Sequence, residues 1–338
     1  MGNKTLETIG EFGVIDIFKS QQKVHTSKVI TGIGDDCAVF KTDTESCSLI
    51  TTDMLVEEVH FTLDTTSSYL LGKKSLSVNL SDIAAMGGIP TFAFLTLAVS
   101  RDTHVEYLET FAQGFYNVAQ KWDVQLLGGD TVASPSFLII NVTLFGEVRR
   151  EELLLRSRAQ PGDVIFVSGY LGDSKAGLTL LRSCDYHEKD EYPELVAAHL
   201  DPVPQIDMGR VLAQTHTVNG VIDISDGVVS DLGHICDESK VGGIIDISKL
   251  PISKGCKMFA TKKGMMPYEF ALYGGEDYQL LFTVPQEKKE RIEEIVEYKC
   301  GKKIYDIGTI IEGSGVHIKE GEDVKPAAQG GYDHFAGR

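Results

Sequence analysis

Four short segments of this 338-residue chain place glycine beside aspartate or glutamate, and each adjoins an apolar run. They are residues 32–40 (GIGDDCAVF), 128–131 (GGDT), 223–227 (DISDG) and 274–277 (GGED). Glycine has no Cβ, so the backbone can turn tightly and approach a ligand closely. Binding residues also concentrate where regular elements end. The pattern predicts apolar strands and helices whose ends carry an acidic site.

The adjacent carboxylates Asp35 and Asp36 are the first indication of a bound ion. Two carboxylates side by side repel each other unless a proton or a cation lies between them. Paired oxygen ligands suit Mg²⁺, which binds one or two carboxylates together with substrate phosphates. A solvated Gly-Asp turn explains this segment at least as well when the segment is taken by itself.

Other acids lie at comparable positions. Thr51, Thr52 and Asp53 end a predicted strand and offer three oxygen ligands in a row. Asp82 lies three residues after Asn79 on a predicted helix and shares a neighbouring face with it. A surface turn and a solvated helix edge are the alternative interpretations. Together, the acids at glycine turns and strand ends predict one site for several Mg²⁺ ions: Asp35, Asp36, Asp53, Asp82, Asp130, Asp223, Asp226, Glu276 and Asp277.

Composition limits the partners and the location of the protein. Its 32 basic and 49 acidic side chains give a net charge of −17, which argues against binding to nucleic acid or to an anionic membrane. A phosphate ligand is still possible, because bound metal ions reverse the sign of an acidic site. The six cysteines form no CxxC pair and are expected to be reduced, packed thiols. No signal segment or membrane-length apolar run is found, so we expect a cytoplasmic protein.

Apolar periodicity predicts strands and helices that alternate in two domains. Predicted strands cover residues 48–52, 91–99, 124–127, 137–148, 164–172 and 221–226, and predicted helices cover 7–18, 69–86, 104–121, 174–183, 202–214, 228–236 and 287–298. Residues 184–192 are predicted to form an exposed loop, and Ser225 and Asp226 to cap the following helix. Composition changes at 149–152, so we place a domain boundary between residues 1–150 and 151–338. The order of elements predicts a mixed α+β architecture.

The motifs of several enzyme classes are absent from the sequence. The segment Gly72-Lys73-Lys74-Ser75 lacks the upstream glycine of a GxxxxGK[ST] loop, and there is no HRD or DFG set, no GxSxG and no HExxH. Phosphoryl transfer needs little covalent chemistry, since positioning and charge neutralisation supply most of the rate. Arg156, Arg158 and His60 are candidates to contact phosphate, although side chains of these types usually lie on the surface.

An ordered series of motifs covers almost the whole chain: GIGDDCAVF, TTDMLVEEVHF, SVNLSDIAAMGG, LLGGDT, RSRAQPGD, DISDGVVSDLGH, GGEDYQLLFTVP and GYDHF. This series resembles the thiamine-monophosphate kinase family, within the superfamily that resembles aminoimidazole ribonucleotide synthetase. The resemblance implies an N-terminal α/β domain that forms a β-barrel with its twin in a homodimer, and a C-terminal α/β sandwich. It also implies direct transfer of the ATP γ-phosphoryl group to thiamine monophosphate, giving thiamine diphosphate, with several Mg²⁺ and no phosphoenzyme.

The resemblance also implies roles for individual residues. The implied metal ligands are Asp36, Thr51, Thr52, Asp53, Asp82, Asp130, Asp223 and Asp226. The implied ATP-binding residues are Gly129, Asp130, Arg156 and Ser225, and those for thiamine monophosphate are His60, Glu276 and Tyr332. Asp35 is expected to orient Asp36, and Tyr332 offers a ring face to the partly cationic thiamine rings. The acidic pair Glu57-Glu58 departs from the small residues expected before His60.

Two alternatives stay open. Another ATP-dependent synthase of the same superfamily would share the fold. The selenophosphate kind requires a reactive cysteine or selenocysteine in its N-terminal glycine-rich loop, and we expect no reactive cysteine in that loop of this chain. The hydrogenase-maturation kind ends in cysteine, whereas this chain ends in Arg338. The alternative from another class is a non-catalytic nucleotide or metal sensor, which would not need every ligand position to be intact.

Overall fold

Two mixed β-sheets with packed helices form the framework of the computed structural model. It describes residues 6–21, 27–183, 186–328, 330 and 334–335. The strands of the first sheet lie within residues 29–149, and those of the second lie within residues 163–326. This arrangement agrees with the α+β class expected from the sequence. Among the helices of the described residues, none combines the length and the apolar character needed to cross a membrane.

The first sheet has six strands in the described part of the chain. They are β1 (Val29–Thr31), β2 (Ala38–Lys41), β3 (Ser46–Val56), β4 (Ile89–Ser100), β5 (Gln125–Ser134) and β6 (Ile139–Arg149). Their spatial order is β1-β2-β3-β6-β4-β5. Neighbours run antiparallel, except that β4 and β5 are parallel. Over the described residues this sheet is open, with β1 and β5 at its edges, so a single chain does not close a barrel.

Two of the N-terminal helices cross in close contact. The helices are α1 (Leu6–Gln21), α2 (Ser68–Ala85) and α3 (Val105–Lys121). A Cβ on Gly72 of α2 would lie 2.0 Å from the carbonyl oxygen of Phe111, and one on Gly114 of α3 would lie 1.9 Å from the carbonyl oxygen of Tyr69. The two backbones can approach this closely only because both positions are glycine. This contact fixes α2, the helix that carries Asp82.

The face of the first sheet turned away from α2 exposes large apolar side chains. Met54 on β3, Phe92 and Phe94 on β4, and Val132 on β5 are each between 39% and 53% exposed. Strand alternation places all four on one face, because the side chains buried toward the helices occupy the intervening positions. A group of exposed apolar side chains of this kind is typical of a protein–protein interface.

The second sheet has seven strands in the described residues. They are β7 (Asp163–Val167), β8 (Val221–Asp223), β9 (Gly242–Asp246), β10 (Leu280–Pro285), β11 (Tyr305–Ile311), β12 (Gly315–Glu320) and β13 (Asp323–Pro326). Their order is β13-β12-β9-β11-β7-β10-β8, with only the β9 and β12 pair parallel among these neighbours. Strand β8 is therefore an edge strand, and Asp223 is its last residue.

Eight helices accompany the second sheet in the described residues. They are α4 (Asp173–Leu181), α5 (Tyr186–Glu191), α6 (Pro193–Leu200), α7 (Ile206–Thr215), α8 (Val228–Ser239), α9 (Lys254–Lys263), α10 (Pro267–Tyr273) and α11 (Lys289–Cys300). One apolar core continues between the two sheets: it contains Leu80 and Ile83 of α2 together with Val221 of β8 and Phe282 of β10. This shared core holds edge strand β8 against α2.

Most predicted elements are confirmed to within a few residues, but the prediction for residues 128–131 is wrong. The segment GGDT was expected to follow a strand, whereas it lies inside β5 and pairs in parallel with β4. A Cβ on Gly129 would lie 1.7 Å from the carbonyl oxygen of Leu95, and its φ is 152°. The glycine therefore serves a close contact between strands, and pairing with β4 overrides the local turn preference.

Two further local predictions are wrong. Residues 184–192 are not simply a loop, because α5 occupies most of them and Glu188 is buried, 2.7 Å from Nζ of Lys263. Cys184 lies outside the described residues. Helix α8 also begins without a side-chain cap from Ser225 or Asp226. The thiol prediction is confirmed, since the five cysteines in the described residues are free and four of them are buried.

Candidate active site

Three carboxylates from separate elements meet where α2 packs against β3 of the first sheet and edge strand β8 of the second. Asp36 precedes β2, Asp82 lies in the last turn of α2, and Asp223 ends β8. One oxygen atom of each lies within 4.8 Å of one oxygen atom of the other two. We call these three residues the carboxylate cluster. The structure thus brings together three of the eight predicted metal ligands from positions widely separated in sequence.

Neighbouring hydroxyl groups orient two of these carboxylates. Thr51 Oγ1 on β3 donates a hydrogen bond to Oδ2 of Asp82, and Ser81 Oγ donates to Oδ2 of Asp223 at 2.6 Å. The first contact joins α2 to the middle of β3 in the first sheet, and the second joins α2 to the end of β8 in the second sheet. Each hydroxyl satisfies one oxygen of its carboxylate, so the second oxygen is the natural ligand atom.

Asp53 is a fourth carboxylate beside the carboxylate cluster. Its main-chain N–H donates to Oδ1 of the buried Asn79 at 3.1 Å, which fixes β3 on α2. The prediction that residues 51–53 end a strand is wrong, because β3 continues to Val56 through its pairing with β6. Asp53 also interacts electrostatically with Asp36 and Asp82. The sequence-based expectation that Asp82 points toward the same place as Asp36 and Asp53 is therefore supported by the geometry, and Asn79 positions β3 in this arrangement.

Arg156 is the basic residue that contacts this group of acids. Its guanidinium Nη2 lies 2.5 Å from Oδ1 of Asp36 and its Nε lies 3.8 Å from Oδ1 of Asp35. Asp35 accepts the main-chain N–H of Asp36 at 3.0 Å, so it contacts the backbone of Asp36 and not its carboxylate. Part of the guanidinium of Arg156 is therefore already paired with carboxylates. Arg158 instead donates to the carbonyl oxygen of Leu153 at 2.8 Å.

The groups around the carboxylate cluster leave its negative charge incompletely neutralised, and a bound divalent cation would neutralise it. Oδ2 of Asp36 is buried and has no hydrogen-bond partner among the described residues. A buried polar atom without a partner is rare in a folded protein, and one guanidinium does not neutralise four neighbouring carboxylates. Carboxylate and hydroxyl oxygens are the ligands that Mg²⁺ prefers. Asp36, Asp82 and Asp223, with Asp53 beside them, are the residues that could hold such an ion.

The pKa values of these acids show how strongly they resist carrying charge together. Burial and the neighbouring Asp36 raise the pKa of Asp35 to about 7 and that of Asp53 to about 6. Burial and nearby carboxylates also raise the pKa of Asp82 and of Asp223 well above the usual range. A bound cation would remove this repulsion, because opposite charge favours the ionised form.

Magnesium is expected to stabilise the protein more at about pH 7.5 than at about pH 5. Raised folded-state pKa values mean that these carboxylates destabilise the metal-free protein increasingly as pH rises from about 4 through about 7, the window set by Asp35 and Asp53. The increase in Tm on adding Mg²⁺ should be larger by about 2 °C or more at the higher pH. Thermal melts with and without Mg²⁺ at both pH values measure it.

The comparison with and without the ion removes a competing effect. Burial lowers the pKa of His60, His199 and His234, which destabilises the protein at low pH in both samples. An increase in Tm that is equal at the two pH values would contradict a cation bound among these carboxylates.

A second acidic group adjoins the start of α8. Asp226, Asp231 and His234 each offer one ligand atom, and these atoms lie within 4.8 Å of one another. Oδ2 of Asp231 accepts the main-chain N–H groups of Gly227 at 3.0 Å and of Asp226 at 3.3 Å. Asp231 therefore provides the cap that was predicted for Ser225 and Asp226.

A cavity of about 570 Å³ adjoins the carboxylate cluster through Asp53. Its wall includes His60, Ser225, Asp226 and Glu276, so it gathers residues that were predicted for the metal, the nucleotide and thiamine monophosphate. Val56 N–H donates to Nδ1 of His60 at 3.0 Å. Nδ1 is thus an acceptor, and Nε2 of the neutral ring carries the hydrogen.

Glu276 reaches this cavity from a loop with an unusual backbone. Its φ is 63°, and its N–H donates to the carbonyl oxygen of Ser225 at 2.7 Å. Although burial opposes ionisation, Lys74 and His199 hold the pKa of Glu276 below its usual range. Asp277, by contrast, accepts the N–H of Gly172 at 2.6 Å and serves the start of α4.

Some predicted site residues are not brought to the carboxylate cluster. Thr52 lines the cavity, but its hydroxyl lies on the other face of β3 and donates to the carbonyl oxygen of Val142 at 3.1 Å. A metal contact from Thr52 would therefore use its main-chain oxygen.

Gly129 stands in register with Leu95, Val142 and Asp53 across β5, β4, β6 and β3.

Asp130 is consequently far from the carboxylate cluster of its own chain. Three strand spacings of about 4.8 Å separate β5 from β3, so Gly129 and Asp130 lie about 14 Å from Asp53. Asp130 is also exposed, and alternation puts it on the apolar face described above. Tyr332, predicted to contact thiamine monophosphate, lies outside the described residues, whereas the ring of His334 is 5.0 Å from that of His60.

Sequence reasoning missed Lys74, His199 and Asp231. Lys74 was noted only as part of a segment that lacks the upstream glycine of a phosphate-binding loop, although a lysine within an apolar helix was a signal of a buried partner. Asp231 lies in the first turn of α8, where a carboxylate is favourable near free N–H groups. His199 carried no local signal, because its partners come from distant parts of the chain.

Comparisons with known proteins match the chain over nearly its whole length. Residues 34–148 match AIR synthase related protein, N-terminal domain, and residues 160–320 match AIR synthase related protein, C-terminal domain. Thiamine-monophosphate kinase of Aquifex aeolicus (strain VF5) is 40% identical over 98% of this chain and 99% of its own length. Thiamine-monophosphate kinase of Escherichia coli (strain K12) is 38% identical over 97% of this chain and 98% of its own length.

A solved structure shares the whole fold. "AaThiL complexed with AMPPCP and TMP" superposes with a TM-score of 0.85 at 35% sequence identity and covers 99% of this chain and 100% of that chain. The matched length includes every element that carries the carboxylate cluster and the cavity.

Proposed function

Because this chain belongs to the thiamine-monophosphate kinase family, we propose that it phosphorylates thiamine monophosphate with ATP. The γ-phosphoryl group passes to a phosphate oxygen of thiamine monophosphate, its bond to the β-phosphate oxygen breaks, and ADP and thiamine diphosphate leave. The observation that carries this proposal is the carboxylate cluster beside a cavity of about 570 Å³, because it joins a cation-binding group to a space for a ring-containing substrate.

Charge neutralisation is the main task of such a site. ATP and thiamine monophosphate both carry negative phosphates, which repel each other and the acids of the protein. Asp36, Asp82 and Asp223 would hold Mg²⁺, with Asp53 beside them, and the ion would neutralise charge on the phosphates. Two or more ions would suit the number of acids and would favour in-line transfer.

The residues of the chain supply position rather than a nucleophile. The acceptor is the phosphate oxygen of thiamine monophosphate itself, so no phosphoenzyme is needed. Nε2 of His60 carries a hydrogen and can donate to a substrate phosphate oxygen. Arg156 holds Asp36 and, together with Ser225, lies at the ATP side of the site. Tyr332 and Glu276 contact the thiamine rings in the same proposal.

Two copies of the chain complete the enzyme in this proposal. Residues 1–150 form a metal-binding, ATP-binding and dimerisation domain, and residues 151–338 form a C-terminal α/β sandwich. The exposed apolar side chains of the first sheet support pairing of two such sheets into a β-barrel. Because Asp130 lies about 14 Å from Asp53, Gly129 and Asp130 would serve the site of the other copy. The enzyme would act in the cytoplasm.

A direct assay tests the proposed activity. Purified protein with Mg²⁺, ATP and thiamine monophosphate is expected to form ADP and thiamine diphosphate in equal amounts, and omission of Mg²⁺ is expected to stop the reaction. Liquid chromatography measures both products. The assignment would be overturned if no thiamine diphosphate formed and ADP appeared only with another acceptor.

A further inference from the structure

A lysine that is almost completely buried lies behind the cavity wall. Lys74 on α2 is 2% exposed, and its Nζ is 2.8 Å from Oε2 of Glu276 and 3.2 Å from the carbonyl oxygen of His199. Burial of an ammonium group is unfavourable unless it is paired and hydrogen-bonded. Both partners of Lys74 therefore make its burial possible, and its position on the rigid helix α2 makes it a fixed anchor.

His199 is a second anchor for the same carboxylate oxygen. Its Nδ1 lies 3.1 Å from Oε2 of Glu276 and 3.1 Å from Oγ of Ser174. Since a carboxylate oxygen only accepts hydrogen bonds, Nδ1 carries the hydrogen. Glu276 is thus held from α2 by a charged donor and from α6 by a neutral one.

The other carboxylate oxygen of Glu276 remains available. Both anchors use Oε2, and Oε1 has no hydrogen-bond partner among the described residues. The side chain is 23% exposed and lines the cavity. The loop is held close to Ser225, because the N–H of Glu276 donates to the carbonyl oxygen of Ser225 at 2.7 Å and a Cβ on Gly275 would lie 2.4 Å from the same oxygen. Oε1 is therefore a fixed acceptor at the edge of an open space.

We propose that Lys74 is a positioning residue for thiamine monophosphate: with His199 it fixes Glu276 so that Oε1 accepts a hydrogen bond from the amino group of the pyrimidine ring. This inference rests on the proposed function. The amino group is the only N–H donor on the thiamine rings when the pyrimidine is unprotonated, so it is the natural partner for a fixed carboxylate acceptor in the cavity. Lys74 acts through Glu276 and does not touch the substrate.

The test uses an analogue of thiamine monophosphate that carries hydrogen in place of the pyrimidine amino group. A site built around a charged hydrogen bond rejects a ligand that lacks the donor, so the unmodified protein should prefer thiamine monophosphate by about 100-fold in kcat/KM. In Lys74→Met this preference should fall to about tenfold or less. The change should come from the KM for thiamine monophosphate, while the KM for ATP stays the same.

Lys73→Met is the matched control. Lys73 is the neighbouring lysine and pairs with Asp201 away from the cavity, so its removal should leave the preference at about 100-fold. Glu276→Gln and the double variant Lys74→Met with Glu276→Gln complete a mutant cycle. If Lys74 acts only through Glu276, the double variant should lose no more preference than Glu276→Gln does.

Each outcome separates this inference from the proposed function. Retention of the full preference in Lys74→Met, or losses that multiply in the double variant, would overturn the role of Lys74. If Lys74→Met does not fold, the double variant carries the test, because it leaves no unpaired charge buried. Failure of the unmodified protein to make thiamine diphosphate would instead overturn the proposed function.

Discussion

Replacing Asp82 with asparagine is expected to lower kcat by about 10³-fold, a loss typical of removing one preorganised electrostatic group from a reacting site. Asp82 lies with Asp36 and Asp223 in the carboxylate cluster. Asparagine keeps the shape of the side chain and can still accept the hydrogen bond from Thr51, but it removes one negative charge. The loss of rate would therefore report the loss of a cation ligand rather than a change in packing. Steady-state kinetics at saturating substrates measure it.

The same substitution is expected to make the magnesium-free protein more resistant to heat. Burial and the carboxylates of Asp53, Asp223 and Asp36 raise the pKa of Asp82 well above its usual range, so the charged form destabilises the fold near neutral pH. Removal of that charge should raise Tm by about 2 °C or more. Stabilisation by added Mg²⁺ should largely disappear. A gain in stability together with a loss of rate is the signature of a site whose charges serve a ligand.

An exposed aspartate provides the control for both effects. Asp102→Asn changes the same side chain in a surface turn and should leave kcat, Tm and the response to Mg²⁺ unaltered. A variant Asp82→Asn that melts at a lower temperature and still gains stability from Mg²⁺ would show that Asp82 supports the fold. Asp82 would then not be a metal ligand.

The carboxylate cluster could be predicted because each of its acids carries a local signal. Asp36 follows two glycines, Asp223 ends a short apolar strand, and Asp82 lies on a helix next to buried positions. Such signals depend only on neighbours in sequence. They identified the residues but not their distances, since these depend on how the shared core presses β8 against α2.

The alternation of side chains along a strand could have been used to predict which of Thr51, Thr52 and Asp53 share a face. Adjacent residues of a strand point to opposite faces, so Thr51 and Asp53 can share a face with each other but not with Thr52. The hydroxyl of Thr52 accordingly bonds to β6 on the far face. Three oxygen-bearing residues in a row on a strand supply two side chains to one site.

Contacts between distant segments could not be predicted from one sequence. Lys74 and Glu276 are separated by 202 positions, and Arg156 and Asp36 by 120. Neither member of a pair reveals its partner. The prediction for residues 128–131 was wrong for a related reason. The glycines favour a turn locally, but in the folded sheet the segment pairs with β4.

A mixed dimer of two inactive variants is expected to recover about half of the activity of the unmodified dimer. One subunit carries Asp130→Asn and the other carries Asp223→Asn, and each variant by itself should be inactive. If Asp130 serves the site of the other copy, both substitutions fall in one site of the mixed dimer and the other site is intact. The separation of about 14 Å between Asp130 and Asp53 and the exposure of Asp130 support this arrangement.

Co-expression with two different affinity tags, followed by purification on both, isolates the mixed dimer for assay. The control pairs Asp223→Asn with Asp82→Asn. Both of these acids belong to the carboxylate cluster of one chain, so each site would carry one substitution and no activity should return. If the Asp130→Asn and Asp223→Asn pair also stays inactive, Asp130 does not act in the other copy's site. A single-chain mass in solution would contradict the dimer itself, because the apolar side chains of β3, β4 and β5 would then stay exposed to water.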